Sequence, residues 1–239
     1  MKIKFDSTHN ALTPTLVLAT RNGDKLGVIP ATNISAADSF NSNFDLQFNV
    51  NKFENGVRCH IWDDIVDFKL AWCREWDTWF ELYVSVSDDN ETVKTVTGVS
   101  LGEAELSQIM LYNIEINTED DIARDDYKPT VLFDEENPSA SLLHRIMEKA
   151  PHYTVTHVDT SIAKLQRTFT FDGTSLYDAF QTIAKELDCI FVIDSGSNED
   201  GSISRSIGVY DLEAHCAVCG NRGSFEDSCP SCGNDAVLP

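Results

Sequence analysis

Apolar and polar residues alternate with a period of two over much of the first hundred positions, the pattern of a half-buried β-strand. Phe44-Asp-Leu-Gln-Phe-Asn-Val50 shows it most clearly. Thr15-Leu-Val-Leu-Ala-Thr20 and Lys25-Leu-Gly-Val-Ile29 flank Arg21-Asn-Gly-Asp24. Asn-Gly between β-prone runs predicts a hairpin, because both residues accept positive φ. Thr78–Val86 and Thr92–Val99 read as two more strands around the polar turn Asp88-Asp-Asn-Glu91. Many short strands without helical periodicity predict a barrel or sandwich.

Beyond residue 100 the pattern changes. Gly102–Gln108 fits a short helix, and Tyr112-Asn-Ile-Glu-Ile-Asn117 alternates like a strand. The acidic run Glu119–Asp126 lacks the Asp/Asn alternation and trailing Glu of a calcium loop and reads as a solvated surface loop. Asn137-Pro138 predicts a cap and first-turn proline for a helix with Leu142, Leu143, Ile146, Met147 and Ala150 on one face, stopped by Pro151. Tyr153–Val158 and Gln166–Phe171 read as strands. Thr174 is expected to cap a second helix with Leu176, Phe180, Ile183 and Leu187 on its buried side. Cys189–Ile193 then reads as a buried strand, Ser195–Ser202 as a loop and Ile203–Tyr210 as the partner strand.

The C-terminus carries Cys216-x-x-Cys219-Gly220 and Cys229-Pro-x-Cys232-Gly233. Two such pairs form a four-cysteine zinc-ribbon pattern. Each aims two thiolates at one point, and the following glycine lets the backbone fold beneath the sulfurs. Four thiolates close the tetrahedron, so the expected Zn2+ is structural. Iron is the chemical competitor and two disulfides the alternative. His215 is a further candidate ligand, although four cysteines suffice. Arg222 alone supplies positive charge between the pairs, with Glu226 and Asp227 beside it, so a protein-contact ribbon is expected rather than a phosphate-tracking one.

Charge sharpens that reading. The 239 residues hold 18 Lys+Arg against 39 Asp+Glu, a formal net charge of -21. The acidic excess is about two to one in both halves, so no basic arm is hidden. Nucleic-acid and anionic-membrane binders need a basic footprint that is absent here. No apolar run is long enough to span a bilayer, and no apolar segment follows the basic residues of Met1–Phe5. The odd count of 7 Cys, with Cys59, Cys73 and Cys189 isolated in apolar stretches, points to a reducing compartment.

No Gly-x-Ser-x-Gly elbow, P-loop, His-Glu-x-x-His or dinucleotide turn occurs. His9, His60, His144, His152 and His157 are scattered. Asp63-Asp64 and Glu135-Glu136 are adjacent acids in an acidic chain and carry little catalytic information. Trp62, Trp72, Trp76 and Trp79 offer two readings, a carbohydrate platform or packing on alternate faces of a barrel; packing is preferred. No catalytic residue is assigned, and the chain is not expected to be an enzyme.

Taken together, residues 15–100 resemble the first barrel of the baseplate-hub (tail-tip) proteins of long-tailed bacteriophages and prophages. Ser141-Leu-Leu-His-Arg-Ile-Met-Glu-Lys-Ala-Pro-His-Tyr153, His157-Val-Asp159, Arg167-Thr-Phe169, Tyr177-Asp-Ala-Phe180 and Val209-Tyr-Asp-Leu212 resemble the next module. The resemblance implies an α+β chain with a β-rich barrel-like domain over 1–105, an α+β domain over 106–212 and a zinc ribbon over 213–239. It also implies a homotrimeric, non-enzymatic hub at the virion tail tip, made in the bacterial cytoplasm. Its expected partners are distal tail and tape-measure proteins, and it would contribute to the DNA-ejection channel and host attachment. Many members continue into a second barrel and a lytic or receptor-binding region, so a truncated hub, or the N-terminal part of a tail-associated cell-wall hydrolase, is the alternative.

Overall fold

The structure is a computed structural model that describes residue 7 and residues 13–38, 44–86 and 92–212, with the short strands 215–216 and 237–238. Two compact units divide the chain. One comprises Met1–Ile109, His152–Thr154 and Ile193–Ser206; the other comprises Met110–Pro151, Val155–Val192 and Ile207–Pro239.

The first unit is built on β1 (Leu16–Ala19), β2 (Lys25–Val28), β3 (Ala31–Asp38), β4 (Phe44–Asn51), the small hairpin β5 (Phe53–Glu54) and β6 (Val57–Arg58), β7 (Leu70–Cys73), β8 (Thr78–Val86) and β9 (Val93–Ser100). Seven of them form one antiparallel sheet in the order β2-β1-β7-β8-β9-β4-β3. Its edges, β2 and β3, are joined only by Ile29 and Pro30. A flat seven-stranded sheet would put its edges roughly 29 Å apart. The three Cα steps from Val28 to Ala31 span at most about 11 Å. The sheet therefore curls, as a half-barrel.

Alternation places one set of side chains inside the curl. Phe44, Leu46, Phe48 and Val50 of β4 meet Phe80 and Leu82 of β8 and Val96 of β9. Gly98 makes room there, since a Cβ would stand 3.1 Å from that of Phe80. The other face carries a smaller core of Ala19, Leu70 and Trp79, covered by Leu101, with Trp72 and Ile203 beside it. Trp62 and Trp76 belong to the inner core. The four tryptophans thus pack on opposite faces of the sheet.

The β1–β2 hairpin is present, but its connection is Thr20–Asp24 and only Gly23 has positive φ, at 90°. Thr20 N–H donates to the Asp24 carbonyl and Gly23 N–H to that of Thr20, so one left-handed residue suffices. The expected turn at Asp88–Glu91 lies outside the described residues. Helix α1 (Leu101–Leu106) follows β9 directly.

The second unit begins with β10 (Met110–Leu111) and β11 (Ile114–Ile116) and continues through α2 (Glu119–Ile122), α3 (Leu142–Met147), β12 (Thr154–Val158) and α4 (Thr160–Ala163). β13 (Phe169–Phe171) pairs with β11, and β14 (Thr174–Ser175) with β10. α5 (Leu176–Leu187), β15 (Cys189–Ser197) and β16 (Ile203–Asp211) complete it. β12, β16 and β15 form a three-stranded sheet with β16 central, and supply residues to both units.

Four expectations shift. Ser141, not Asn137, caps α3, accepting from His144 N–H; Pro138 opens a separate 3-10 turn. Ser175, one residue past Thr174 and the last residue of β14, stands directly before Leu176, caps α5 and accepts from Asp178 N–H. Part of the acidic run folds as α2, whose Asp121 is buried and accepts the Asn117 N–H at 3.0 Å. β15 runs on to Ser197, so the loop is only five residues. Leu176, Phe180, Ile183 and Leu187 do line the buried face of α5. Among the described residues no helix is long and apolar enough to cross a membrane.

Candidate functional site

The four predicted zinc ligands fall almost wholly outside the described residues. Of the ribbon, only the backbone pairing of β17 (His215–Cys216) with β18 (Val237–Leu238) is described, with Cys216 opposite Val237. Among the described residues no group of three His, Cys, Asp or Glu is placed to hold a metal ion. Cys73 and Cys189 are buried and Cys59 half-buried. Burial, with Asp211 and Asp188 nearby, pushes the Cys189 thiol up to about 12, which disfavours the thiolate.

The richest polar assembly in the first unit surrounds α1. Glu105 accepts two bonds from the Arg205 guanidinium, each 2.7 Å, and one from the Tyr153 hydroxyl at 2.8 Å. Burial alone would raise the Glu105 carboxyl. The Arg205 and Tyr153 bonds, and the His152 ring 3.8 Å away, outweigh it and hold Glu105 below the usual carboxylate range. Beside it a half-open cleft of about 290 Å3 is lined by Arg21, Leu70, Leu101, Glu105, Gln108, Ile109 and His152.

Arg21 also reaches a carboxylate in mid-strand. Glu81 of β8 is wholly buried, and it takes the Arg21 guanidinium and the Tyr83 hydroxyl, the latter at 2.8 Å. Burial, reinforced by Glu81, pushes Tyr83 up to about 12. Arg21 lies over the ring of Phe68, itself edge-on to Tyr83. Inside the curl, buried Lys94 donates to the carbonyls of Trp62 at 2.6 Å and Ile65 at 2.7 Å, with the Trp62 ring 4.6 Å away. Its donors are thus committed to holding the 3-10 turn Trp62–Asp64.

In the second unit Asn117, buried and with φ of 51°, is a hub. Its amide N donates to the carbonyls of Thr130 and Arg167, and its Oδ1 accepts from Thr130 N–H and the Tyr127 hydroxyl. His144 stacks flat on Phe133 at 4.9 Å and His157 on Tyr210 at 4.8 Å. The histidines His144, His152 and His157 are therefore packed or paired one by one. These networks tie segments together. None sets a nucleophile beside a base and an oxyanion site.

No family model matches the chain, and no curated protein matches it in sequence. Solved structures do match in fold. The prophage tail protein gp18 of Listeria monocytogenes EGD-e aligns with 81% of this chain and 50% of its own, at TM-score 0.51 and 10% identity. A tail protein from Neisseria meningitidis MC58 aligns with 85% of this chain and 51% of its own, at TM-score 0.47 and 8% identity. A Francisella PdpA-VgrG complex aligns with 83% and 31%, at TM-score 0.38 and 11% identity. The chain spans about half the length of the first two. The curled sheet and the α+β unit are thus similar in fold to the Listeria prophage tail protein.

Proposed function

We propose that the chain is a structural, non-enzymatic subunit of a phage or prophage tail tip, acting as part of a baseplate hub. The observation that carries this reading is the fold shared with the Listeria prophage tail protein over 81% of the chain. The hub would be a homotrimer around the DNA-ejection channel, in contact with distal tail and tape-measure proteins. Two features support assembly. The edge strand β2 exposes Leu26 and Val28, and the β5–β6 hairpin exposes Phe53 and Val57. The evenly spread charge of -21 suits a ring that repels DNA phosphates rather than binding them. Light scattering on the 239-residue chain checks the state: three times 26.6 kDa is expected, and a monomer at all concentrations overturns the trimer.

In the same reading Cys216, Cys219, Cys229 and Cys232 hold one structural Zn2+. The backbone pairing of Cys216 with Val237 supports it, because it brings together the two ends of the stretch of sequence that carries the four cysteines. Metal analysis should give one zinc per chain, lost in Cys229→Ser; iron or no metal with free thiols removes the assignment.

The alternative reading, the N-terminal part of a tail-associated cell-wall hydrolase, differs in outcome. A peptidoglycan zymogram of this chain is expected to be blank, and clearing would establish the hydrolase.

A further inference from the structure

Glu103 stands in the first turn of α1, and its Oε2 is buried without a hydrogen-bond partner. Leaving a carboxylate oxygen buried and unbonded is costly, and a charge on it costs more. A second carboxylate lies at the same junction. Asp45 of β4 is opposite Val99 of β9, and α1 begins two residues later at Leu101. Burial, and then the Asp45 charge, push Glu103 up to about 7.

The helix has little freedom to relieve this. A Cβ on Gly102 would come within 2.3 Å of Ile193 Cγ2, so the backbone already touches β15 there. Leu101 is buried in the outer core. The charged groups on the elements packed against α1 offer no relief. Glu81 of β8 is held by Arg21 and Tyr83, and Lys94 of β9 by the Trp62 and Ile65 carbonyls. Arg205 of β16 is spent on Glu105.

We propose that Glu103 and Asp45 form a proton-operated latch on α1. With a proton on Glu103 the helix stays seated on the sheet; with both carboxylates charged it is pushed from its seat. Because α1 also carries Glu105, unseating it slackens the bonds to Arg205 and Tyr153 and opens the cleft beside Leu101 and Gln108. The direction follows from linkage. The folded protein binds this proton more tightly than the unfolded chain, so the stabilisation is full below about 4.5 and is lost as pH rises through about 7.

Two measurements on the full chain test the latch. Carboxyl 13C titration of the wild type should show Glu103 titrating near 7; an ordinary midpoint near 4.5 overturns the proposal without any variant. Hydrogen exchange, corrected for intrinsic rates, should show protection of the Leu106 to Gln108 amides falling about tenfold between about pH 6 and about pH 8.5. Glu103→Gln keeps the shape without the charge and should hold protection constant, while Asp45→Asn should move the fall to lower pH. Parallel profiles for wild type and Glu103→Gln overturn it.

Discussion

The indole N–H of Trp79 donates to the carbonyl oxygen of Gly196 at 3.1 Å, with the Ser197 hydroxyl 3.2 Å from the same nitrogen. Trp79 is wholly buried, and the bond joins residues 117 positions apart. Asp77 completes the joint: Oδ1 takes the Trp72 indole N–H at 3.0 Å and Ser197 N–H at 3.1 Å. Gly196 lets the strand come close there, since a Cβ would sit 2.9 Å from Asp77 Oδ2 and displace that carboxylate. Trp79→Phe keeps an aromatic ring but strands the Gly196 carbonyl, at an expected cost of about 1–3 kcal/mol. Trp79→Ala should cost about 3–5 kcal/mol. Urea unfolding followed by circular dichroism measures both, and equal midpoints for Trp79→Phe and wild type would show the bond to be idle.

Asn117 should be the most sensitive polar position of the second unit. Asn117→Ala removes four side-chain bonds and puts Ala at φ of 51°, for an expected loss of about 3 kcal/mol or more. Asn117→Gly removes the same bonds but tolerates that φ, so it should lose about 1 kcal/mol less. Comparing the two unfolding midpoints separates backbone strain from lost bonding.

The Glu105–Arg205 pair gives stability of the opposite pH sense to Glu103. The folded Glu105 is held below its unfolded value, so its contribution is present above about 4.5 and is lost as pH falls through the folded value. Glu105→Gln should cost about 2 kcal/mol near neutral pH and flatten the loss of stability on acidification below about pH 5. Thermal melts across the acidic range up to neutrality supply the comparison.

Gly102→Ala drives a methyl into Ile193 and should destabilise by about 1–3 kcal/mol. Ile193→Ala removes the obstacle, so the double variant should lose clearly less than the two single losses combined. Simple additivity in a double-mutant cycle would mean that the two residues do not meet.

β4 and β9 are legible from clean alternation, β1 and β2 from the Asn-Gly turn between two β-prone runs, β8 from its β-prone run, and α5 from its buried stripe. β3 is not, because its apolar side is Ala31, Ile34 and Ala36, small and irregularly spaced. A register break between Thr32 and Ser35, with Asn33 at φ of 52°, adds the irregularity. β7, only four residues long, is mostly buried on both faces and shows no alternation. Both helix caps lie further along the chain than the sequence suggests, because Thr174 and Asn137 are good caps in isolation. The 3-10 turn at Pro138 ends before α3 begins, and it is Ser175, the last residue of β14, that directly precedes Leu176. The polar assemblies are hidden for another reason. Glu105 meets Arg205 across 100 positions, and among 39 acids nothing in the spacing singles out Glu81, Glu103 or Glu105. The cysteine pairs stand out in the sequence because their spacing is local.

The order β2-β1-β7-β8-β9-β4-β3 also sets when this protein can finish folding. β3–β4 and β8–β9 are near neighbours in sequence and form early, whereas β1 must wait for β7, with Leu16 paired to Cys73. The outer layer waits longer still, since Gly196, Ile203 and Arg205 leave the ribosome after Met110–Pro151 has emerged. During synthesis the half-barrel is therefore expected to stand as a sheet with Trp79 uncovered until about a hundred further residues have emerged. That interval is the time in which a chaperone, or a neighbouring nascent chain, has access to its outer face.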